Sequence, residues 1–161
     1  MSSSFAHRVG NATLVQWPAG VSGTGNSGVT AVLENTNGAI AYVAVSYLIA
    51  HHLPAAAIKN AHGAYEYPNL NNIENAARSV THVPSSNALH IVNPPRSAKI
   101  AYPVSTFTYA IVPANAPQGA LLQQWIRYVL GTGQSFGPAL DFAPIPRIVL
   151  NAAKATVGRI H

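Results

Sequence analysis

The stretch Trp17-Pro18-Ala19-Gly20-Val21-Ser22-Gly23-Thr24-Gly25-Asn26-Ser27-Gly28 decides how the rest of the chain is read. The short apolar run before it, residues 14–17, has strand character and stops at Pro18, which brings no N–H to a ladder. Gly20, Gly23, Gly25 and Gly28 then make a turn. After it, Asn26 or Ser27 can cap a helix whose Val29, Val32 and Leu33 have i, i+3, i+4 spacing and which ends at Asn37-Gly38. Strand, glycine-rich turn and helix in that order are the elements of an α/β unit. Backbone N–H groups of such a loop, aided by the helix dipole, can hold an anion, with Ser22, Gly23, Thr24 and Asn26 as the candidate ligand groups. The plainer reading is a tight turn that serves packing alone. No Lys follows the last glycine, and GxGxxG is out of register, so neither a P-loop nor a dinucleotide fingerprint is present.

Residues 39–47 are near-continuously apolar and rich in Val, Ile and Tyr, which suits a strand buried on both faces, with a short helix to His52 following. Residues 56–59 and 64–67 flank His62-Gly63 and predict a hairpin that closes at Pro68. Asn71 and Glu74 have capping-box spacing, and Ile73, Ala76, Ala77 and Val80 form one helical stripe. Periodicity fails over 81–99, where Pro84, Pro94 and Pro95 mark a long connection. Strand character returns over 104–112, with Phe107, Tyr109 and Ile111 on one face. Pro117 opens a helix carrying Leu121, Leu122, Trp125, Ile126 and Val129 that stops at Gly131 and Gly133. A last helix carries Ile148, Val149 and Ala152 to about Val157. The spacing of Trp17, Trp125 and most of the tyrosines predicts core positions for them.

Composition narrows the chemistry. Of 161 residues only nine are Lys or Arg and four are Asp or Glu, 8% charged in all, against about 25% in ordinary globular domains. The four acids Glu34, Glu66, Glu74 and Asp141 are too few and too scattered for a paired-carboxylate glycosidase, an EF-hand or a magnesium cage. Without cysteine there is no disulfide, thiolate nucleophile or Cys-based zinc site. The seven histidines include no i, i+4 helical pair, so no metal ligand is assigned. Gly-x-Ser-x-Gly is absent, so no catalytic residue is assigned and no enzyme is expected; the one arrangement that would reopen the question is a His beside an acid, Asp141 above all. No cofactor is called for. The net charge of +5 favours anions, yet basic residues lie singly, without the patch of a nucleic-acid binder. No apolar run reaches the ~20 residues of a membrane helix, and the start lacks a basic and then apolar signal-peptide pattern.

In the same register, the quoted stretch resembles the PstS family, the periplasmic phosphate-binding proteins of ABC phosphate uptake systems, which carry a tryptophan-proline, a run of glycines and Gly-Asn-x-Gly there. Three further blocks follow in order. Gly38-Ala39-Ile40-Ala41-Tyr42-Val43 is similar to the family's Pro-Gly-Ala-Ile-Gly-Tyr-Val. Ala101-Tyr102-Pro103-Val104-Ser105-Thr106-Phe107-Thr108 is similar to its Ala-Tyr/Trp-Pro-Ile strand, and Leu140-Asp141-Phe142-Ala143-Pro144-Ile145-Pro146 to its Leu-Asp-Tyr-x-x-Leu-Pro. Ser22, Ala41 and Ala44 depart from the family's Gly, Gly and Glu.

The resemblance implies an α/β chain forming part of a type II periplasmic-binding-protein fold, a mixed sheet with flanking helices. Residues 1–100 would be a partial second lobe and 101–161 a return segment into the first. It covers only the family's second half, and the family's Arg-x-x-Gly-Ser-Gly-Thr/Ser phosphate ligands belong upstream of the match, Pro18 standing where an arginine would be wanted. It further implies phosphate or a similar small anion as ligand, an ABC permease as partner, and a periplasmic or extracellular location. Incomplete lobes expose apolar faces and strand edges, so a homo-oligomer or a complementary half is expected to cover them. The alternative is an interaction or assembly module that keeps the fold without binding the anion.

Overall fold

The computed structural model describes residues 2–12 and 14–161, in two compact units that divide after His51.

In the first unit α1 (Ser3–Arg8) was not anticipated from the sequence; Ser2 caps it by accepting from the Phe5 N–H. The Phe5 ring packs against Trp17 with centroids 6.2 Å apart. Helix α2 (Gly25–Glu34) follows the glycine-rich turn as expected, with Thr24 rather than Asn26 or Ser27 at the N-cap. The expected strands at 14–17 and 39–47 do not form. Residues 14–17 and 39–44 join no ladder, and at Ala44 the chain turns into α3 (Val45–Ala50). The physical reason is local: the Ala44 carbonyl accepts the Tyr47 N–H at 3.0 Å and starts a helical turn, while β-branched residues favour a strand only where a neighbour offers a pleated surface.

In the second unit the predicted hairpin is present. Strands β1 (Ile58–Lys59) and β2 (Tyr65–Glu66) pair antiparallel, Ile58 opposite Glu66 and Lys59 opposite Tyr65, around a turn in which Gly63 holds φ 108°. Helix α4 (Leu70–Arg78) has its cap two residues before the expected one: Asn69 accepts the Asn72 N–H at 2.9 Å, and Glu74 pairs with Arg78 instead of reaching back. Its Ala76 and Ala77 are buried, as the stripe predicts. Buried Asn72 donates to Glu66 Oε2 at 2.8 Å, and its carbonyl accepts the Tyr102 N–H at 3.0 Å, tying helix, hairpin and the segment near 101 together.

The aperiodic stretch is pinned rather than loose. Asn87 donates to Thr156, Arg159 donates to the Ser85 carbonyl, and the Tyr109 hydroxyl both accepts from and donates to the Leu89 backbone. Residues 104–112, expected as a strand, join no ladder. Helix α5 (Gly119–Val129), two 3-10 turns (Thr132–Phe136 and Pro138–Leu140) and α6 (Arg147–Val157) complete the unit.

The buried hydrophobics are few and mostly small: Ala76, Ala77, Ile91, Ala101, Val157 and Ile160 among the described residues. Trp17, Trp125, Tyr42, Tyr65, Tyr67, Tyr109 and Tyr128 are exposed, against the core positions expected for them. Spacing specifies which residues share a face; burial also needs something opposite that face. The architecture is α/β in content, helices beside a small sheet. Among the described residues no helix is long and apolar enough to cross a membrane.

The glycine-rich loop as a candidate anion site

The four candidate groups sit at the entrance to α2. Gly23 is the most constrained, since a Cβ on it would lie 2.4 Å from the Gly28 carbonyl carbon and the Val29 nitrogen. The loop is therefore folded back against the first turn of the helix, a contact only glycine allows. Gly25 holds φ 64°, the left-handed region that glycine enters without strain. Thr24 is the N-cap in extended conformation; its carbonyl accepts the Gly28 N–H at 3.2 Å, and its hydroxyl makes no capping bond.

The N–H groups of Gly25, Asn26 and Ser27 thus open the helix without intrahelical acceptors. Ser22, Thr24 and Asn26 are exposed and Gly23 half-buried. Asn26 is committed within the unit: its Oδ1 accepts the Ala44 N–H at 2.8 Å and holds the end of the 39–44 segment against the helix start.

The charge around this loop is sparse. Arg8 is the only Lys or Arg before Lys59, and Glu34 the only acid before Glu66. Glu34 is taken up by His51, Oε1 to Nδ1 at 2.8 Å, with the Tyr47 ring stacked on the imidazole at 6.1 Å. This is a His and acid brought together by the fold, at Glu34 rather than Asp141, and no signal in the sequence linked two residues seventeen apart. Among the described residues no hydroxyl hydrogen-bonds to His51, so the pair lacks the nucleophile of a triad. No group of three or more His, Asp or Glu among the described residues could hold a metal ion.

Two open grooves lie in the second unit. One, of about 260 Å³, is bordered by His82 and His90. The other, of about 450 Å³, is lined by Pro113, Pro117, Leu121 and Leu122.

With this geometry in hand, comparison with known proteins defines the class. Residues 4–132 match the PBP superfamily domain, and the chain belongs to that superfamily. Among curated proteins it is similar to the phosphate-binding protein PstS of Xylella fastidiosa (strain Temecula1), 27% identical over 151 residues that make up 91% of this chain and 41% of the relative. It is 30% identical to the PstS of Methanocaldococcus jannaschii over 83% of this chain and 39% of the relative. It is 22% identical to that of Pasteurella multocida over 96% and 46%. The chain therefore spans less than half the length of these curated relatives.

Proposed function

We propose that this chain forms one part of a phosphate-type anion receptor related to ABC phosphate import, and that by itself it lacks the principal anion ligands. The observation that carries the reading is the lopsided coverage, nearly all of this chain against 41% of the Xylella relative. In this scheme residues 1–100 contribute a partial second lobe and 101–161 the return segment into the first. The whole receptor would capture its anion with neutral backbone and hydroxyl donors as two lobes close, without covalent chemistry. It would work outside the cytoplasm and deliver to a membrane permease, as the PstS resemblance implies. Ser22, Gly23, Thr24 and Asn26 would be accessory donors at most, because no cationic side chain follows Arg8 until Lys59 and Asn26 is engaged with Ala44.

Isothermal titration of the isolated chain with inorganic phosphate tests this. No heat of binding at submillimolar phosphate is expected, and a submillimolar Kd would overturn the claim that the ligands are missing. The assembly-module reading draws support from the exposed apolar residues Ile40, Tyr42 and Ile111; it predicts a stable homo-oligomer in native mass spectrometry.

A further inference from the structure

Basic residues that lie singly along the sequence are brought together where the hairpin meets the segment before Ala101. The Asn60 side-chain amide donates to the Lys99 carbonyl at 2.8 Å, and His62 Nδ1 donates to the Arg96 carbonyl at 3.2 Å. Lys59, next to Asn60 at the end of β1, holds its Nζ 5.9 Å from the centroid of the Tyr65 ring. Lys59, Arg96 and Lys99 are thereby gathered around one turn, and all three are exposed. Among the described residues none of them is in an ion pair. Glu66, the nearest acid in the hairpin, has its Oε2 bonded to Asn72, and no Asp or Glu occurs over residues 75–140. The positive charge around the turn is therefore left uncompensated.

Tyrosines border this charge. Tyr65 stands opposite Lys59 in the ladder, which puts the two on one face of the hairpin, and Tyr67 follows two residues on. Both are exposed, Tyr65 by 67% and Tyr67 by 57%. A phenol ring has an apolar body and a polar tip, the combination favoured at the boundary between water and lipid.

We propose that the hairpin and residues 96–99 form a docking surface for a membrane that carries anionic phospholipid headgroups, on which the second unit rests without inserting a helix. Three observations select this occupant. Lys59, Arg96 and Lys99 line neither of the two grooves described above, so their charge belongs to a surface and not to a pocket built around one small anion. Three cations fall short of the line of phosphate contacts that a nucleic acid requires. An acidic polypeptide would engage the cations and leave the two tyrosines unused, whereas a headgroup layer takes both. Each Lys or Arg near such a layer strengthens adsorption by roughly fivefold, so three together amount to about a hundredfold.

Co-sedimentation with vesicles tests the proposal. The probes are vesicles of phosphatidylcholine alone and of phosphatidylcholine with about one-third phosphatidylglycerol. The chain is expected to bind the anionic vesicles at least about tenfold more tightly than the neutral ones, and to lose that preference in high salt. The bonds to Asn60 and His62 use the carbonyls of Lys99 and Arg96, so the triple variant Lys59→Gln, Arg96→Gln, Lys99→Gln should keep the wild-type circular dichroism. Its affinity for anionic vesicles should fall by at least about tenfold. The exposed residues Arg127, Arg147 and Lys154 provide the control: their replacement by Gln changes net charge equally and should alter binding by less than about threefold. Tyr65→Ser with Tyr67→Ser, at unchanged charge, should weaken vesicle binding by about threefold or more. Absence of binding to anionic vesicles overturns the proposal, and so does an equal loss in the control triple, which would mean that net charge alone acts. Unchanged binding in the tyrosine variant, or tighter binding of polyglutamate than of vesicles, overturns the lipid as occupant. Phosphate is absent from every arm, so this result and the calorimetric one fail independently.

Discussion

The side-chain amide of Asn60 is bonded to the backbone on either side of Ile100: its Nδ2 donates to the Lys99 carbonyl at 2.8 Å and to that of Ala101 at 3.3 Å. Its Oδ1 meanwhile accepts the N–H groups of Gly63 and Ala64, both at 3.1 Å. One buried amide thereby closes the hairpin turn and fastens it to a segment some forty residues away. The bond geometry requires a donor and an acceptor on the same small side chain, which only asparagine supplies at that length.

Asn60→Asp keeps the acceptor and replaces the donor by a second oxygen facing two carbonyls. At neutral pH it should destabilise the second unit by about 2–3 kcal/mol in urea unfolding. The carboxyl would be held protonated more readily in the folded state than in the unfolded one. The penalty relative to wild type should therefore shrink as the pH falls from neutral toward about 4 and level off below that, where the unfolded side chain is protonated as well. A penalty independent of pH would count against this bonding pattern.

Gly23→Ala places a methyl group 2.4 Å from the Gly28 backbone, where nothing flexible can give way. A loss of roughly 2–3 kcal/mol in the first unit is expected, whereas Ser22→Ala at an exposed position should change stability by less than about 0.5 kcal/mol. Emission from Trp17 in a Trp125→Phe background reports that unit separately. Equal effects of the two substitutions would mean that the loop is not packed on the helix as described.

Thr30 is 1% exposed and its hydroxyl has no hydrogen-bond partner among the described residues. Thr30→Val keeps the shape and removes the unpaired polar atom, so the midpoint of thermal unfolding should rise, by an amount corresponding to about 1 kcal/mol. Thr30→Ser, which keeps the hydroxyl and loses a methyl, should lower it.

Burial raises the Tyr102 phenol above its ordinary value of 10.0. The neutral form is thus favoured in the folded chain. Its contribution to stability is complete below pH 10 and declines as the pH rises through the unfolded value toward the folded one. Tyr102→Phe should flatten the fall in stability between about pH 9.5 and 11. An unchanged slope would show that other groups set the alkaline limit.

Helices α2, α4, α5 and α6 were legible because their signals are local, whereas α1 was not anticipated. The apolar spacing in α2, α4, α5 and α6, and the turn at His62-Gly63, required no knowledge of distant residues, and errors there were confined to caps such as Asn69 for Asn71. Ile40, Tyr42 and Ile111 were misplaced because β composition states only that a residue suits a ladder, while the ladder itself depends on another strand. The Gly20–Gly28 loop could be located from sequence, but the commitment of Asn26 to Ala44 and of Glu34 to His51 is long-range and left no local mark. Asn60 and Asn72 were invisible for the same reason: a buried asparagine reads in sequence as a surface one.

The uneven distribution of basic side chains bears on any encounter with an anion. Eight of the nine Lys and Arg residues lie beyond His51, with Arg8 the ninth, so the long-range pull originates almost wholly in the second unit. Added salt screens such a pull within about a Debye length, roughly 8 Å at physiological strength. Arrival would therefore slow as ionic strength rises. The first unit, with Arg8 as its lone Lys or Arg, would add little to that pull at any salt concentration, so the salt dependence of anion attraction would report on the second unit.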